Sequence, residues 1–371
     1  MPGQSCIAVI AGQLVVGGAE RQLYLWLSNL DRSRFSPVVV TLHPGHEDYW
    51  EHKIEELGIP LYRVHESPNS FGRLIKIINF LKPHHPDLIH GWHLFVSPYA
   101  GMAARWFKCV SLSGFRGSTK VFRESRFFGP LSLRLTDAML VNSNTTANDL
   151  KKRFPTRANR IFVAQNAVLD EYEGRFMARE QLAKRFGLDP DLPWICSMGR
   201  MDPDKRFDLL LEVISRLQDI PFEFILVGDG PERQGLEALS TSLELTKNVI
   251  FTGEIPNAAR LLKGMDIFAF ASFDEGLPNV IMEAQAAGLP IVTWKLPFFE
   301  ELITNGQTGL LVKPGDVDAM TDALRKLLKD PLLRQSIGTL ARASVLAFFG
   351  LDKYIQKMTA VYESLLNSRH R

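Results

Sequence analysis

Two glutamates lie within the segment DEGLPNVIMEAQAAGLPIV, with seven residues between Glu275 and Glu283. Pro278 lies where a helix would begin, a position that suits proline because its missing N–H is not needed there. The first turn of this helix would offer unpaired N–H groups to an anion, and carboxylates accept hydrogen bonds from hydroxyl groups. The pattern therefore indicates a site for an anionic, polyhydroxylated ligand. Taken alone, two glutamates at this spacing favour ordinary helix charges.

Two cations follow the apolar run PWICSM. Gly199 permits close backbone approach, and Arg200 and Lys205 lie on a turn that leads into a helical pattern. Cations at the carboxyl end of a parallel strand suit a diphosphate, although a solvated turn would have the same residues. Asp202 and Asp204 form an Asp-x-Asp, which we interpret as turn chemistry. The sequence therefore predicts a diphosphate site and no metal site.

Glycines follow two further apolar runs. Gly228 and Gly230 come after FEFILV, but no third glycine completes the dinucleotide fingerprint, so we do not expect NAD(P). Gly17 and Gly18 follow the first apolar run and open a helical pattern. Such loops admit a ligand closely, and they also occur as plain strand-to-helix turns.

Short apolar runs such as CIAVIA and FEFILV alternate with amphipathic stretches such as FGRLIKIINFLK along the whole chain. Strands this apolar are covered on both faces, which predicts doubly wound parallel sheets of the α/β class. Because there are two complete series, we predict two Rossmann-like domains, over residues 1–169 and 170–350. The stripe of apolar residues in 351–371 predicts a last helix that packs back on the first domain.

The composition is that of an ordinary globular protein, with 371 residues of which 46% are hydrophobic and 23% charged. It excludes a disordered chain, and no apolar run reaches the roughly 20 residues of a membrane helix. The first residues lack a basic leader, so we expect no signal peptide. Cys6, Cys109 and Cys196 have no paired spacing, which favours a reducing, cytoplasmic compartment and excludes a cysteine zinc site.

The charge is unevenly distributed. Residues 1–170 hold 20 Lys/Arg against 13 Asp/Glu, a net of +7, whereas the remainder holds 23 against 28, a net of −5. The scattered cations carry no nucleic-acid motif, so we expect no nucleic-acid partner. Arginines and phenylalanines are mixed in 115–134, which predicts reversible binding to an anionic membrane surface; a solvated basic face is the alternative. The residues in question are Phe115, Arg116, Lys120, Phe122, Arg123, Arg126, Phe127, Phe128 and Arg134.

Taken in order, several segments resemble the retaining glycosyltransferases of family four, which have the GT-B architecture of two facing Rossmann-like domains. The resemblance spans the chain and is most specific from about residue 195 to 316. The segments that carry it are VGGAERQ, QNAVLD, GRMDPDKRFDLLLE, VGDGPER, VIFTGEIP, DEGLPNVIMEAQAAGLPIV and TNGQTGLLVKPGD.

This resemblance implies a role for each candidate residue. Arg200 and Lys205 would clamp the donor diphosphate. Glu275 would lie against the transferred sugar, and Glu283 would bind the ribose hydroxyls. Residues 252–256 would lie near the base. The other implied donor-binding positions are Gly17, Gly18, Gly199, Gly228, Thr252, Gly253, Gly276, Leu277, Pro278, Asn279 and Val280.

The family also has a histidine of the first domain that reaches the donor sugar. His93 follows the run PDLIHG, and strand carboxyl ends face the ligand in such folds, so His93 is our candidate. His90 is the rival, and either could be a structural histidine.

The segment WKLPFFEELI departs from the family, in which many members have a small Gly-Gly turn before a glutamate. Glu301 keeps the glutamate, but Lys295, Phe298 and Phe299 replace the small turn. Because this loop would approach the sugar, the resemblance leaves the donor sugar open.

The residues and this resemblance together predict a retaining glycosyltransferase whose donor is a nucleotide-diphosphate sugar. The first choice of donor is a UDP-linked sugar, and no metal or other cofactor is expected. Its acceptor would be a glycan or a lipid-linked molecule, as in cell-surface polysaccharide or lipopolysaccharide synthesis. The alternatives are a GT-B-type epimerase, a phosphorylase, or a sugar-nucleotide-binding protein without activity. An epimerase would consume its donor without an acceptor.

Overall fold

The computed structural model describes residues 4–15, 17–43, 49–64, 69–125, 128–172, 174–255 and 257–368. It divides into two compact units: residues 1–167 with 351–371, and residues 168–350. Each unit is built on a parallel sheet whose strands alternate with helices. The doubly wound α/β class predicted for both halves is confirmed.

The first unit has a seven-stranded parallel sheet in the order β3-β2-β1-β4-β5-β6-β7 within the described residues. Its strands are β1 (Ser5–Ala11), β2 (Phe35–Thr41), β3 (Leu61–Arg63), β4 (Leu88–Gly91), β5 (Val110–Phe115), β6 (Ala138–Val141) and β7 (Ile161–Val163). Its first helices are α1 (Gly18–Ser28), α2 (Tyr49–Glu55), α3 (Ser70–Leu81), α4 (Ser97–Phe107), α5 (Thr119–Glu124), α6 (Phe128–Leu135) and α7 (Asn144–Arg153). Short 3₁₀ segments lie at Lys82–His84, Leu94–Val96 and Pro155–Arg160.

Strand β5 was not among the predicted strands, because its sequence VSLSGF is half polar and glycine. The structure buries both of its serines and satisfies their hydroxyls. Ser111 donates to the carboxylate of Asp137 at 2.7 Å, and Ser113 donates to Ser97 at 2.9 Å. A central strand can therefore contain buried serines where each hydroxyl has a hydrogen-bond partner. A search for apolar runs does not find such a strand.

The second unit has a six-stranded parallel sheet in the order β10-β9-β8-β11-β12-β13 within the described residues. Its strands are β8 (Trp194–Met198), β9 (Glu223–Val227), β10 (Val249–Gly253), β11 (Ile267–Phe270), β12 (Ile291–Trp294) and β13 (Leu310–Val312). Its helices are α8 (Arg175–Phe186), α9 (Phe207–Ser215), α10 (Arg233–Ser242), α11 (Asn279–Ala286), α12 (Pro297–Glu300), α13 (Val317–Lys329) and α14 (Pro331–Phe349). Short 3₁₀ segments lie at Pro203–Lys205 and Ala258–Gly264.

The last helix, α15 (Leu351–Ser368), returns to the first unit, as predicted. Its predicted stripe is buried throughout, and the stripe residues are Tyr354, Met358, Val361, Tyr362 and Leu365. The Tyr354 hydroxyl donates to the backbone carbonyl of Gln22 at 3.1 Å, which ties the helix to α1.

Candidate active site

The strand order reverses between β8 and β11 in the second unit, because the chain moves outward through β9 and β10 before it returns. Ligands of open α/β sheets bind at such a reversal, outside the carboxyl ends of the strands. Lys205 follows β8 and Glu275 follows β11, so both lie at this point. Lys205 Nζ donates to Glu275 Oε1 at 2.5 Å, and these side chains are 23% and 13% exposed. The structure thus pairs two of the predicted catalytic residues.

Backbone hydrogen bonds fix the loop that carries Lys205. The 3₁₀ turn Pro203–Lys205 presents the carbonyl of Asp204 to the loop after β11. Phe273 N–H donates to this carbonyl at 3.0 Å, and the buried Ser272 hydroxyl does so at 3.3 Å. The loops after β8 and β11 are therefore joined, which holds the lysine and Glu275 together.

Arg200 lies on the same loop but has a different environment. Its Nε donates to Asp202 Oδ1 at 3.1 Å, and its side chain is 72% exposed. The backbone carbonyl of Asp202 accepts from the Lys205 N–H at 3.0 Å, which agrees with turn chemistry for this aspartate. The structure does not place Arg200 in the Lys205–Glu275 pair.

Helix α11 follows the pair and begins at Asn279 rather than Pro278. The prediction that Pro278 is the first helical residue was wrong by one position, because its ψ of 108° is extended and makes it the cap. Its carbonyl accepts from Ile281 N–H at 3.2 Å. Glu283 lies within α11 and is half-buried, and its backbone carbonyl accepts from the Tyr172 hydroxyl at 2.7 Å. The predicted spacing therefore places one glutamate before the helix and one inside it.

The glycines at the carboxyl ends of β8, β9 and β10 lie close to one another, with Gly228 between Gly199 and Gly253. A Cβ at Gly228 would overlap the carbonyl oxygen of Gly199, and its φ of +133° disfavours other residues. Gly228 N–H donates to the carbonyl of Gly253 at 3.0 Å, and the Thr252 hydroxyl donates to that carbonyl at 2.9 Å. Loop packing accounts for Gly228 without a ligand, and the donor-binding roles of these residues stay predictions. Pro256, at the end of the segment predicted near the base, lies outside the described residues.

The loop after β12 differs from what we expected. Phe298 and Phe299 are 9% and 0% exposed, and Phe299 packs on Phe270 with ring centroids 5.9 Å apart. Both phenylalanines anchor the short helix α12 in the core instead of lying on an open turn, and the approach of this segment to the sugar stays a prediction. Lys295 remains exposed on this loop, and Glu301 is half-buried.

In the first unit the strand order reverses between β1 and β4, and His93 follows β4. His93 Nδ1 accepts from Gly12 N–H at 3.3 Å, and Nε2 lies 3.0 Å from Glu20 Oε1. The network assigns the proton of the neutral ring to Nε2, because Nδ1 faces a donor. The His93 side chain is 16% exposed and stacks on Phe95. Its ring is therefore held from both nitrogens.

Glu20 was not among the predicted site residues. It lies on the first turn of α1, which Gly17 caps and Gly18 begins. A Cβ at Gly17 would overlap the Glu20 carboxylate, so the glycine makes room for it. The signal that could have revealed Glu20 is its place in VGGAERQ, two residues after Gly18.

His90, the rival histidine, is a core residue. It is fully buried, and its Nδ1 lies 2.8 Å from the Tyr362 hydroxyl of α15. Burial above all, and then the Arg116 charge, holds its pKa well below the usual value of 6.5. These contacts are those of a neutral structural histidine.

The segment 115–134 is not a single surface. Phe115 and Phe122 are 3% and 2% exposed and belong to the core, so the prediction that they face a membrane was wrong. Phe128, in contrast, is 44% exposed. Arg126 and Phe127 lie outside the described residues.

Arg116 also faces inward. Its guanidinium lies 3.9 Å from the centre of the Trp92 ring and donates to Asn166 Oδ1 at 3.0 Å. Arg123 and Arg134 are exposed. Only part of the predicted basic and aromatic face is therefore at the surface.

Three further properties bear on function. No helix of the described ranges is long and apolar enough to cross a membrane. His, Cys, Asp and Glu residues form no group that could hold a metal in the part of the chain that the structure describes. Burial raises the pKa of the Cys6 thiol to about 11, which makes it a poor nucleophile.

Two Rossmann-like domains in one chain, with charged residues at the strand reversal of each, are the domain composition of the GT-B fold. Residues 178–344 match the family described as glycosyl transferases group 1, and residues 16–171 match glycosyltransferase family 4. The chain belongs to the family-four glycosyltransferases, as the sequence motifs predicted.

The chain is also similar to individual proteins of known name. The chain is 26% identical over 352 residues to the lipopolysaccharide core biosynthesis glycosyltransferase LpsE of Rhizobium meliloti, covering 93% of this chain and 96% of that protein. It is 28% identical over 324 residues to the sulfoquinovosyl transferase SQD2 of Arabidopsis thaliana, covering 82% of this chain but only 62% of the plant protein. The crystal structure of HepE from Anabaena with UDP and glucose has a similar fold, with a TM-score of 0.85 at 21% identity, over 98% of this chain and 100% of HepE.

Proposed function

We propose that this protein is a retaining glycosyltransferase that transfers a sugar from a UDP-linked donor to a glycan or lipid-linked acceptor. The observation that carries the proposal is the Lys205–Glu275 pair at the strand reversal of the second domain. The names of the relatives support the substrate class, since they include a lipopolysaccharide core enzyme and a sulfoquinovosyl transferase. HepE, which has a similar fold, was crystallised with UDP and with UDP-glucose.

The diphosphate is the part of the donor whose charge grows as the sugar departs. Lys205 and the more exposed Arg200 would donate charge-assisted hydrogen bonds to it. The first turn of α11 would add backbone N–H groups and a positive helix end. Catalysis would thus consist of charge stabilisation and positioning, with the departing phosphate helping to deprotonate the acceptor. No enzyme nucleophile is needed on this path, and retention follows from departure and attack on one face.

The two glutamates would then act at different parts of the donor. Glu275 would meet the sugar once Lys205 turns from it to the phosphate. Glu283, deeper along α11, would accept hydrogen bonds from the ribose hydroxyls.

His93 would lie against the donor sugar, as the family resemblance implies. A ring whose Nδ1 accepts from Gly12 presents Nε2 in one orientation, and Glu20 lies 3.0 Å from that nitrogen. Glu20 would therefore be a positioning residue that fixes the His93 ring.

The acceptor and the place of action are part of the proposal. A lipid-linked acceptor would bring the enzyme to the inner face of a membrane from the cytoplasm. The exposed Phe128, Arg123 and Arg134 remain available for such a contact. Co-sedimentation with anionic and neutral vesicles tests it, with Arg123→Glu as the variant, and equal sedimentation with both lipids would contradict it.

The experiment that tests the proposed function is a donor screen. Calorimetric titration with UDP and GDP identifies the base, and release of the nucleotide from the corresponding sugar donors is then measured. We expect UDP to bind and its sugar donor to be consumed. Glu283→Ala should weaken the binding of UDP itself, because the ribose contact already exists before the reaction.

The controls separate the alternatives. An epimerase would interconvert the donor sugar without releasing nucleotide, and a phosphorylase would need inorganic phosphate. A folded protein that binds UDP but consumes no donor with any acceptor would be a binding protein, which would contradict the proposal.

A further inference from the structure

The amino-terminal edge of the first sheet holds a pocket of about 290 Å³. It lies before β5, β6 and β7, whereas His93 follows the carboxyl end of β4. The pocket is therefore on the opposite edge of the sheet from the residues assigned to the donor. Its charged lining residues are Arg105, Lys108, Arg134, Asp137, Arg157 and Arg160.

The fold brings these cations together from separate parts of the chain. Arg105 lies in the last turn of α4, and Lys108 caps that helix in the left-handed conformation. Arg134 lies at the end of α6, and Arg157 and Arg160 belong to the 3₁₀ segment before β7. Three connections thus converge on one cavity.

The charge of the pocket is not balanced from within. Five cations face one carboxylate, and the Asp137 carboxylate already accepts from the N–H and hydroxyl of Ser111 at 2.8 and 2.7 Å. No salt bridge within the described ranges involves any of the five cations. The carboxyl ends of α4 and α6 contribute about −0.5 charge each, which explains why cations are favoured there. A charge of roughly +3 remains after both helix ends are counted.

We propose that this pocket binds a phosphate group. Guanidinium groups from several directions suit the oxygens of a phosphate monoester or diphosphate, which accept paired N–H donors. A neighbouring cavity of about 550 Å³ shares Lys108, Asp137 and Arg160 with the pocket and reaches Ser364 and Ser368 of α15. This second cavity gives room for the group that carries the phosphate, either a soluble molecule or a lipid headgroup.

The test compares Arg105→Gln/Arg160→Gln with a matched control, Lys152→Gln/Arg153→Gln. Arg105 and Arg160 are exposed residues of the pocket lining, so the fold should survive their change. The control removes the same charge from α7, whose Lys152 and Arg153 are exposed and line neither cavity. Thermal unfolding verifies that all variants are folded.

Inorganic pyrophosphate is the soluble probe, and its binding is measured by calorimetric titration. The wild type, the pocket variant, the control and Lys205→Ala are each titrated separately. Vesicles of phosphatidylcholine, with and without phosphatidylglycerol, are the lipid probe. We expect the pocket variant to weaken one of these interactions about tenfold or more, because each arginine contributes charge-assisted hydrogen bonds. The control should weaken it far less.

The outcomes are distinct. Loss of a pyrophosphate site that Lys205→Ala retains supports the pocket with a soluble phosphate, and loss of vesicle binding alone supports it with a lipid headgroup. If the pocket variant binds both probes as the control does, the proposal is overturned. Donor turnover is not part of this test, so its result is independent of the proposed glycosyl transfer.

Discussion

Replacing Glu275 with glutamine should strengthen the binding of UDP while it abolishes most of the turnover. In the ligand-free protein the Lys205 ammonium is held by Glu275 at 2.5 Å, so the proposed diphosphate must compete with this carboxylate. Exposed ion pairs contribute about 0.2–1 kcal/mol, and this pair, with side chains 23% and 13% exposed, should reach the upper end. Removing about 1 kcal/mol of competition corresponds to roughly fivefold tighter UDP binding.

The partner variant should act in the opposite direction. Lys205→Ala removes charge-assisted hydrogen bonds to the diphosphate worth about 1.5–3 kcal/mol, or roughly 10- to 150-fold in UDP affinity. Calorimetric titration of UDP measures both effects. Glu300→Gln is the matched control, because Glu300 lies 3.9 Å from Lys295 in an exposed pair of the same domain. It should change UDP affinity little.

The two variants should therefore change UDP affinity in opposite directions. If Lys205→Ala bound UDP as tightly as the wild type while remaining folded, Lys205 would not contact the diphosphate. If Glu275→Gln weakened UDP as much as Lys205→Ala, the two residues would act as one structural unit and the competition would be refuted.

Three other predictions follow from contacts outside this pair. Glu20→Ala should lower turnover by up to about 100-fold with UDP affinity unchanged, because His93 Nε2–H loses its acceptor and the ring loses its orientation; equal steady-state rates for variant and wild type would contradict this. The pKa of His90 is depressed in the folded protein, so below about pH 6.5 only the unfolded state takes up a proton at this residue. The free energy of unfolding should therefore decrease as the pH is lowered, by at most about 1.4 kcal/mol per pH unit. Denaturant titrations of wild type and His90→Gln should differ in this slope, and parallel profiles would exclude the effect. Gly228→Ala should destabilise the fold by about 3 kcal/mol or more, because its Cβ would overlap Gly199 O at a φ of +133°. Gly235→Ala, in open space on α10, should instead stabilise by up to about 1 kcal/mol, and equal unfolding temperatures for the two variants would contradict the packing argument.

The sequence predicted most of the fold because buried parallel strands have a strong apolar signal. Runs such as CIAVIA and FEFILV coincide with β1 and β9, and the stripe in α15 is buried as expected. Strand β5 was not predicted, because the hydrogen-bond partners of its serines, Asp137 and Ser97, are distant in the chain. These partners are known only from the folded sheet.

The site was predictable where spacing carries information. The segments around Lys205 and Glu275 follow strands that the pattern identifies, and the strand order then brings them together. Side-chain direction was not predictable in the same way. Phe298 resembles a loop residue in sequence, yet it is buried, and Arg200 lies on the expected loop but pairs with Asp202. Burial of this kind depends on tertiary contacts that no local pattern contains.

The central claim is tested most directly by nuclear magnetic resonance of the anomeric proton during donor turnover. The wild type is incubated with the UDP-sugar that binds best and with a lipid-linked or glycan acceptor, and Lys205→Ala serves as the control. We predict that the wild type releases UDP and that the first-formed product keeps the anomeric configuration of the donor, while Lys205→Ala is slow. A product of inverted configuration, or no consumption of any nucleotide sugar by the folded wild type, would contradict the account.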